Sequence, residues 1–139
     1  MLQLNTYLTF NGNCADAMRF YERTLNGKLE MMTHATSPMA GQASPENANR
    51  IMHARLMFDG GVLMASDTMA EHPYEGMNGF SIALHCPTGA EAKRVFDALA
   101  DGGKVVMPFQ KTFWSEGFGM LVDRFGAPWM LNVGSPDQP

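Results

Sequence analysis

Apolar and polar positions alternate along the chain with two different periods. Residues 3–10 alternate strictly, which predicts a half-buried strand. Residues 14–25 instead place Cys14, Met18 and Tyr21 on one stripe, which predicts an amphipathic helix. Three further strands are predicted, over residues 28–35, 51–58 and 62–66, and residues 51–58 alternate as residues 3–10 do. The first part of the chain therefore has the pattern of a βαβββ unit.

The same order of periods recurs in the second part of the chain. A strand is predicted over 79–86, and Thr88-Gly89-Ala90-Glu91 has the form of a capping box that opens a helix ending near Ala100. Three more strands are predicted, over residues 104–108, 119–123 and 129–133. The last two are joined by Arg124-Phe125-Gly126, and a Gly in so short a connection is typical of a hairpin.

The two halves also share a short motif. Asn26-Gly27-Lys28-Leu29 matches Gly102-Gly103-Lys104-Val105, about 76 residues further along the chain. A period of this length indicates a duplicated half-domain and not a solenoid. We therefore predict an α+β fold of two tandem βαβββ units within one domain. The predicted boundaries are 1–67 for the first unit, 68–78 for a linker, 79–134 for the second unit and 135–139 for a flexible tail.

Two features of the first unit lie outside its regular elements. Asn13 is predicted to cap the first helix with its side chain, and Asn26-Gly27 is predicted to end that helix. Residues 36–50 are polar and rich in Pro, Gly, Ala and Asn. This composition predicts a mobile loop, long enough to act as a lid over a site or as an arm that reaches a partner chain.

Composition and charge exclude several classes of function. The net charge is −4 with a pI near 5.4, and the ten Lys and Arg residues are scattered, which argues against nucleic acid. No apolar run approaches the roughly 18 to 20 residues that cross a membrane, and the first residues do not resemble a signal peptide, so a cytoplasmic protein is expected. Cys14 and Cys86 form no CxxC pair and are expected to be small buried fillers.

Several short sequence motifs resemble those of the vicinal oxygen chelate superfamily, and within it those of the PhnB-like branch. They are Phe20-Tyr21, Tyr7-Leu8-Thr9-Phe10, His53-Ala54-Arg55-Leu56, Leu63-Met64-Ala65-Ser66-Asp67, Phe113-Trp114 and the DRFGAPWML of the last hairpin. The superfamily includes glyoxalase I, extradiol dioxygenases, and the bleomycin and fosfomycin resistance proteins. The resemblance implies a glyoxalase-like fold whose mixed sheet curls around a cleft, and it implies a homodimer.

The resemblance also identifies where metal-using members of the superfamily place their ligands. Those positions, on the first and last strand of each unit, fall near Asn5, Met64, Ser81 and Met130. Divalent metals in such sites are held by imidazole and carboxylate groups, and none of these four side chains supplies either. We therefore expect no metal cofactor. The alternative is a divalent metal at a rearranged site built from distant residues.

Other side chains are candidates for binding or catalysis. His53 and Arg55 lie on the same face of one strand and could serve as a general base and an anion clamp, or could be an exposed polar pair at a sheet edge. His85 is expected to be an outward-facing strand residue. The residues that we expect to bind a ligand are Asn5, Tyr7, Met64, Ser66, Ser81, Trp114, Ser115 and Met130.

Three functions remain compatible with the sequence. The favoured hypothesis is a small-molecule-binding protein of the glyoxalase or bleomycin-resistance type, with a metal-independent apolar cleft. The second is a metal-dependent lyase, isomerase or dioxygenase of the same superfamily. The third is a dimeric interaction protein without catalytic activity.

Some relatives are labelled quinone methyltransferases, but the chain lacks the Gly-rich turn that nucleotide-type cofactors use.

Overall fold

The computed structural model of the chain describes residues 1–38, 41 and 43–134. In chain order the elements are β1 (Thr6–Phe10), α1 (Cys14–Leu25), β2 (Lys28–Thr33), β3 (Ile51–Phe58), β4 (Gly61–Asp67), β5 (Ile82–Cys86), α2 (Gly89–Ala100), β6 (Lys104–Gln110), β7 (Phe118–Val122) and β8 (Pro128–Val133). The tail predicted at 135–139 lies outside the described residues. Neither described helix is long and apolar enough to cross a membrane.

The elements form two compact units, Met1–Gly76 (unit 1) and Met77–Pro139 (unit 2). Unit 1 contains a four-stranded sheet in the order β1-β4-β3-β2, and unit 2 contains a sheet in the corresponding order β5-β8-β7-β6. In each sheet the first strand runs parallel to its neighbour, and the other pairs are antiparallel. The predicted tandem βαβββ fold of the α+β class is confirmed.

Each unit has a core between its helix and one face of its sheet. In unit 2 the apolar stripe of α2, formed by Ala92, Val95, Phe96 and Leu99, is buried, and it packs on the face of the sheet that carries Leu121, Trp129 and Leu131. The core of unit 1 is built in the same way by α1 and its sheet, with Leu8, Phe10, Met18, Tyr21, Ala54, Leu56, Leu63 and Ala65 buried. A large apolar side chain contributes roughly 1.5–3 kcal/mol when it is fully buried. The other face of each sheet is not covered by the unit's own helix, and we call it the open face.

Several predicted strand limits are wrong, because alternation continues where the partner strand does not. β1 begins at Thr6 and not at residue 3, since its pairing with β4 begins at Thr6 and Leu63; Leu4 is exposed. β5 likewise begins at Ile82 and not at 79, where its pairing with β8 begins. β2 ends at Thr33, next to an irregularity in its pairing with β3, and β6 continues to Gln110.

The predicted cap of α1 is also wrong. The Asn13 side chain makes no capping bond to the helix, and its Oδ1 accepts from the Asn11 amide instead. The carboxylate of Asp67, at the end of β4, takes that role: its Oδ1 accepts from the amides of Gly12 (2.8 Å) and Cys14 (3.0 Å). Its Oδ2 accepts from the Ile51 amide at 2.9 Å. A charged acceptor from another strand therefore replaces the local cap.

The predicted capping box of α2 forms only in part. The Thr88 hydroxyl accepts from the Glu91 amide at 3.2 Å, as predicted. The Glu91 carboxylate, however, accepts from the Arg94 guanidinium at 2.8 Å.

The first helix, α1, ends as predicted near Asn26-Gly27. The residue in the left-handed conformation is Asn26, with φ 54°, and not Gly27.

Much of the segment 36–50 is bonded to unit 1. Asn47 is 2% exposed, its Oδ1 accepts from the Ala70 amide at 2.8 Å, and its Nδ2 donates to Glu71 Oε2 at 3.0 Å. The Arg50 guanidinium donates to the Thr68 carbonyl at 2.8 Å. These bonds also fix the first residues of the predicted linker. A lid or arm role for the segment stays a prediction, and residues 39, 40 and 42 lie outside the described residues.

Gly27 and Gly103, which occupy equivalent positions in the repeated motif, are required for the same steric reason. Each is the last residue before the strand that follows the helix, and each lies against the backbone of a neighbouring strand. A Cβ on Gly27 would lie 2.7 Å from the Met57 carbonyl oxygen, and a Cβ on Gly103 would lie 2.3 Å from that of Val122. Real Cβ atoms essentially never approach this closely, so only glycine fits at either position.

We predict that Gly103→Ala lowers the free energy of unfolding by more than about 2 kcal/mol, because the backbone of β7 would have to move. Gly89→Ala is the matched control, since a Cβ there meets nothing within 4 Å and alanine favours a helix. Urea unfolding of both variants would measure the difference. Equal stability of the two variants would contradict the steric explanation.

Candidate functional site

The open face of unit 1 carries most of the first-unit candidates. Strand pairing places Tyr7 of β1 beside Met64 of β4, Met64 beside Arg55 of β3, and Arg55 beside Glu30 of β2. These four side chains therefore form a row across the sheet. Ser66 lies one pleat further along β4, beside Thr9. Strand alternation and pairing thus bring Tyr7, Met64, Ser66 and Arg55 to one face of the sheet.

Two shallow depressions lie on this face, and Arg55 lines both. The first, of ≈ 440 Å³, is lined by Gln3, Leu4, Asn5, Arg55, Gly61, Val62 and Met64. The second, of ≈ 330 Å³, is lined by Glu30, Met31, Met32, His53 and Arg55. The ring centroids of His53 and Tyr7 are 6.0 Å apart. Glu30, a residue of opposite charge, lies directly across the strand pair from Arg55.

The open face of unit 2 is less charged and more aromatic. A depression of ≈ 180 Å³ lies on it, which we call the aromatic depression; its lining residues are Ala83, Leu84, His85, Trp114, Phe118, Met130, Asn132 and Val133. Strand pairing places Asn132 between His85 of β5 and Phe118 of β7. The ring of Trp114 lies edge-on to that of Phe118, with 5.5 Å between their centroids. Two aromatic rings, an imidazole and an amide thus share one small concave surface.

Hydrogen bonds hold the polar part of the aromatic depression in place. The Ser115 hydroxyl oxygen lies 2.6 Å from Oδ1 of Asn132 and 2.7 Å from the Gly117 carbonyl oxygen. It also accepts from the Gly117 amide at 3.2 Å. The Ser115 amide in turn donates to the Thr112 hydroxyl at 3.1 Å. The loop between β6 and β7 therefore fixes the side chain of Asn132.

Three of the four predicted ligand-binding residues of unit 2 lie at the aromatic depression. Trp114 and Met130 line the aromatic depression, and Ser115 bonds to its Asn132. Ser81 precedes β5 and is not part of that lining. Sequence reasoning missed Phe118 and Asn132, and it treated His85 only as an outward strand residue. The spacing of two from Met130 to Asn132 was a usable signal, since alternate residues of a strand share a face.

The positions that correspond to the superfamily's metal ligands do not fit a divalent metal. Asn5 and Met64 line one depression of unit 1, and Met130 lines the aromatic depression of unit 2. An amide, two thioethers and the Ser81 hydroxyl offer no imidazole and no charge. Within residues 1–38, 41 and 43–134, no group of three or more His, Cys, Asp or Glu side chains could hold a metal ion.

Neither cysteine is placed to act as a nucleophile. Cys14 and Cys86 are both free and buried, as expected from the sequence. Burial, and to a smaller extent the charge of Asp67, raises the pKa of the Cys14 thiol from 9.0 to about 12. Burial also raises the pKa of Cys86. Since the thiolate is the reactive form, both thiols are inert at neutral pH.

Comparison with known proteins identifies the family. A family model described as 3-demethylubiquinone-9 3-methyltransferase matches residues 3–132, and the chain belongs to this family. The protein YjdN of Escherichia coli K12 is 39% identical over 141 residues, which cover 95% of each chain. The structure of protein PA1353 from Pseudomonas aeruginosa is 47% identical with a TM-score of 0.88, over 96% of this chain and 98% of that one.

More distant structures support the PhnB-like branch and the wider fold. A putative 3-demethylubiquinone-9 3-methyltransferase, the PhnB protein of Bacillus cereus, is 25% identical with a TM-score of 0.80, over 96% of this chain and all (100%) of that one. A glyoxylase/bleomycin resistance protein/dioxygenase domain from Frankia is 12% identical with a TM-score of 0.68, over 99% of this chain and 95% of that one, which shows the fold alone. The chain therefore has a vicinal-oxygen-chelate-type fold.

We predict that iodoacetamide at pH 8 leaves both cysteines of the folded protein unmodified and alkylates both in urea. A Cys14 pKa of about 12 leaves on the order of one thiolate in ten thousand at that pH. Mass spectrometry measures the labelling, and rapid labelling of the folded protein would contradict the burial of these thiols.

We also predict that the free energy of unfolding falls as the pH rises from 9 to 12. The reason is that the Cys14 thiol loses its proton at a lower pH in the unfolded chain than in the folded one.

Proposed function

We propose that this chain is a small-molecule-binding protein of the glyoxalase and bleomycin-resistance type, and that the aromatic depression of unit 2 is a binding site that needs no metal ion. The observation that carries the proposal is the meeting of Trp114 and Phe118 with His85 and Asn132 on one concave surface. Small-molecule sites are typically apolar and concave, with a few polar groups that fix orientation. The aromatic depression has this composition.

The size of the aromatic depression limits what it can bind. Its volume of ≈ 180 Å³ is below the roughly 300–1,000 Å³ of sites for drug-sized molecules. We infer that it accepts one small ring system, either alone or as part of a larger ligand. Trp114 and Phe118 offer both a face and an edge to such a ring, which favours offset or edge-to-face packing.

Methyl transfer, which the family description names, is not the activity that we propose. The usual methyltransferase sheet is doubly wound and largely parallel, and the cofactor binds at a Gly-rich turn. Each four-stranded sheet described here contains a single parallel pair and three strands joined antiparallel. The candidate catalytic pair His53 and Arg55 lies on unit 1, where Arg55 faces Glu30. We assign no reaction to it.

We also propose that the protein is a cytoplasmic homodimer, as the resemblance implies. One observation favours association: β6 is an edge strand on which Val105, Val106 and Met107 are all exposed. Exposed apolar edge strands are a hazard for a monomer, because their free backbone groups pair with other chains. A second copy of this chain is the partner that we propose for this edge.

Native mass spectrometry tests the assembly and the metal content together. We expect the mass of two chains and less than one metal ion per chain, after purification without chelator and dialysis against zinc, nickel, manganese and iron. A monomer at micromolar concentration would contradict the proposed dimer. Stoichiometric metal would contradict metal independence, and it would direct the search for ligands to His53 and His85.

The aromatic depression itself is tested with Trp114→Ala. We predict that this change weakens the binding of indole, measured by isothermal titration calorimetry, by about tenfold, because it removes both apolar area and an aromatic contact. Phe80→Ala is the matched control, since Phe80 is an exposed aromatic residue of unit 2 outside the depression. Equal affinities for the two variants, or no binding of indole to the wild type, would contradict the proposed site.

A further inference from the structure

We infer that Asn132 presents its carbonyl oxygen, and not its NH₂ group, to the aromatic depression, so that the site selects aromatic rings that carry an N–H or O–H donor. This inference rests on the proposed function and names the ligand class of the same site. It follows from the number of protons that the Ser115 hydroxyl can supply. A serine hydroxyl donates one hydrogen bond and accepts two.

The contacts of Ser115 demand more than one donated proton if Asn132 turns Oδ1 toward it. The hydroxyl oxygen would then lie 2.6 Å from Oδ1 and 2.7 Å from the Gly117 carbonyl oxygen. Both distances are typical of O–H···O hydrogen bonds. With a single proton available, one of these two oxygen pairs would have no hydrogen between them and would repel.

Rotation of the amide by half a turn removes this conflict. The two ends of an Asn amide have nearly the same shape, so the pattern of donors and acceptors decides their orientation. With Nδ2 toward Ser115, the amide donates to the hydroxyl once their contact lengthens from 2.6 Å to the roughly 2.7–3.2 Å of an N–H···O bond. The hydroxyl then donates to the Gly117 carbonyl and still accepts from the Gly117 amide. The hydroxyl then makes one donated and two accepted bonds, which is its full capacity.

The amide oxygen is then left on the side of the depression. In the part of the chain that the structure describes, the Asn132 side chain makes no hydrogen bond other than that to Ser115. Asn132 itself lines the depression between His85 and Phe118. A ligand ring packed against Phe118 and Trp114 would therefore meet an acceptor at its edge. Indoles, phenols and aromatic amines carry the matching donor.

Three probes of similar size separate the alternatives: indole has a donor, 1-methylindole has none, and isoquinoline has only an acceptor. We predict by isothermal titration calorimetry that the wild type binds indole about three- to tenfold more tightly than 1-methylindole, the usual effect of one hydrogen bond. Asn132→Leu should abolish this preference. Asn78→Leu, which removes an exposed amide elsewhere in unit 2, should retain it.

Ser115→Ala tests the orientation itself. Without the hydroxyl the amide of Asn132 is free to turn, so isoquinoline should bind this variant several-fold more tightly than it binds the wild type, while the affinity for indole changes little. Wild-type preference for isoquinoline over indole, or an unchanged isoquinoline affinity in Ser115→Ala, would overturn the inference. Equal binding of indole and 1-methylindole would overturn it and leave the proposed function standing. Binding of none of the three probes would overturn both.

Discussion

The fold of each unit depends on one buried carboxylate that accepts hydrogen bonds from several N–H groups. Asp67 accepts from the amides of Gly12, Cys14 and Ile51, so it fixes the start of α1 and the start of β3 together. Asp123 accepts from the amides of Phe125 and Ala127 and from the indole N–H of Trp129, at 2.9, 3.0 and 2.8 Å. An unpaired buried charge costs several kcal/mol, and charge-assisted bonds such as these offset that cost. The position of Asp123 thereby sets where β8 begins, and so which of its residues reach the open face.

The sequence predicts the elements well where the physical cause is local. Apolar periodicity located both helices. The paired glycines revealed the duplication because the motif recurs in the sequence, although the contact that requires each glycine, with Met57 or Val122, is not local. The cap of α1 could not be predicted in this way. Asn13 is a favourable capping residue by local rules, but Asp67, more than fifty positions away, displaces it. The strand ends were missed for the same reason, since a strand ends where its partner does.

The candidate site could be predicted only in part. Resemblance to a family pointed to Trp114 and Met130, and alternation fixed the face on which each strand residue lies. Neither source states which strands are neighbours, and it is strand pairing that places His85 and Phe118 on either side of Asn132. The hydrogen bond from the loop to Asn132 is equally invisible in the sequence, because Ser115 precedes it by 17 positions. Polar residues of a binding site are thus the last features that a sequence reveals.

The two open faces place the same side chain at one equivalent position and differ around it. Met64 pairs with Tyr7 in unit 1 as Met130 pairs with Ala83 in unit 2. The row across the sheet that contains Met64 also contains the charged residues Arg55 and Glu30, whereas Met130 shares its surface with Trp114 and Phe118. A thioether is polarisable, flexible and apolar, which suits contact with a ring and not the binding of a hard divalent ion. In the site that we propose, apolar contact would therefore supply the affinity, and Asn132 would supply the direction of the one polar bond.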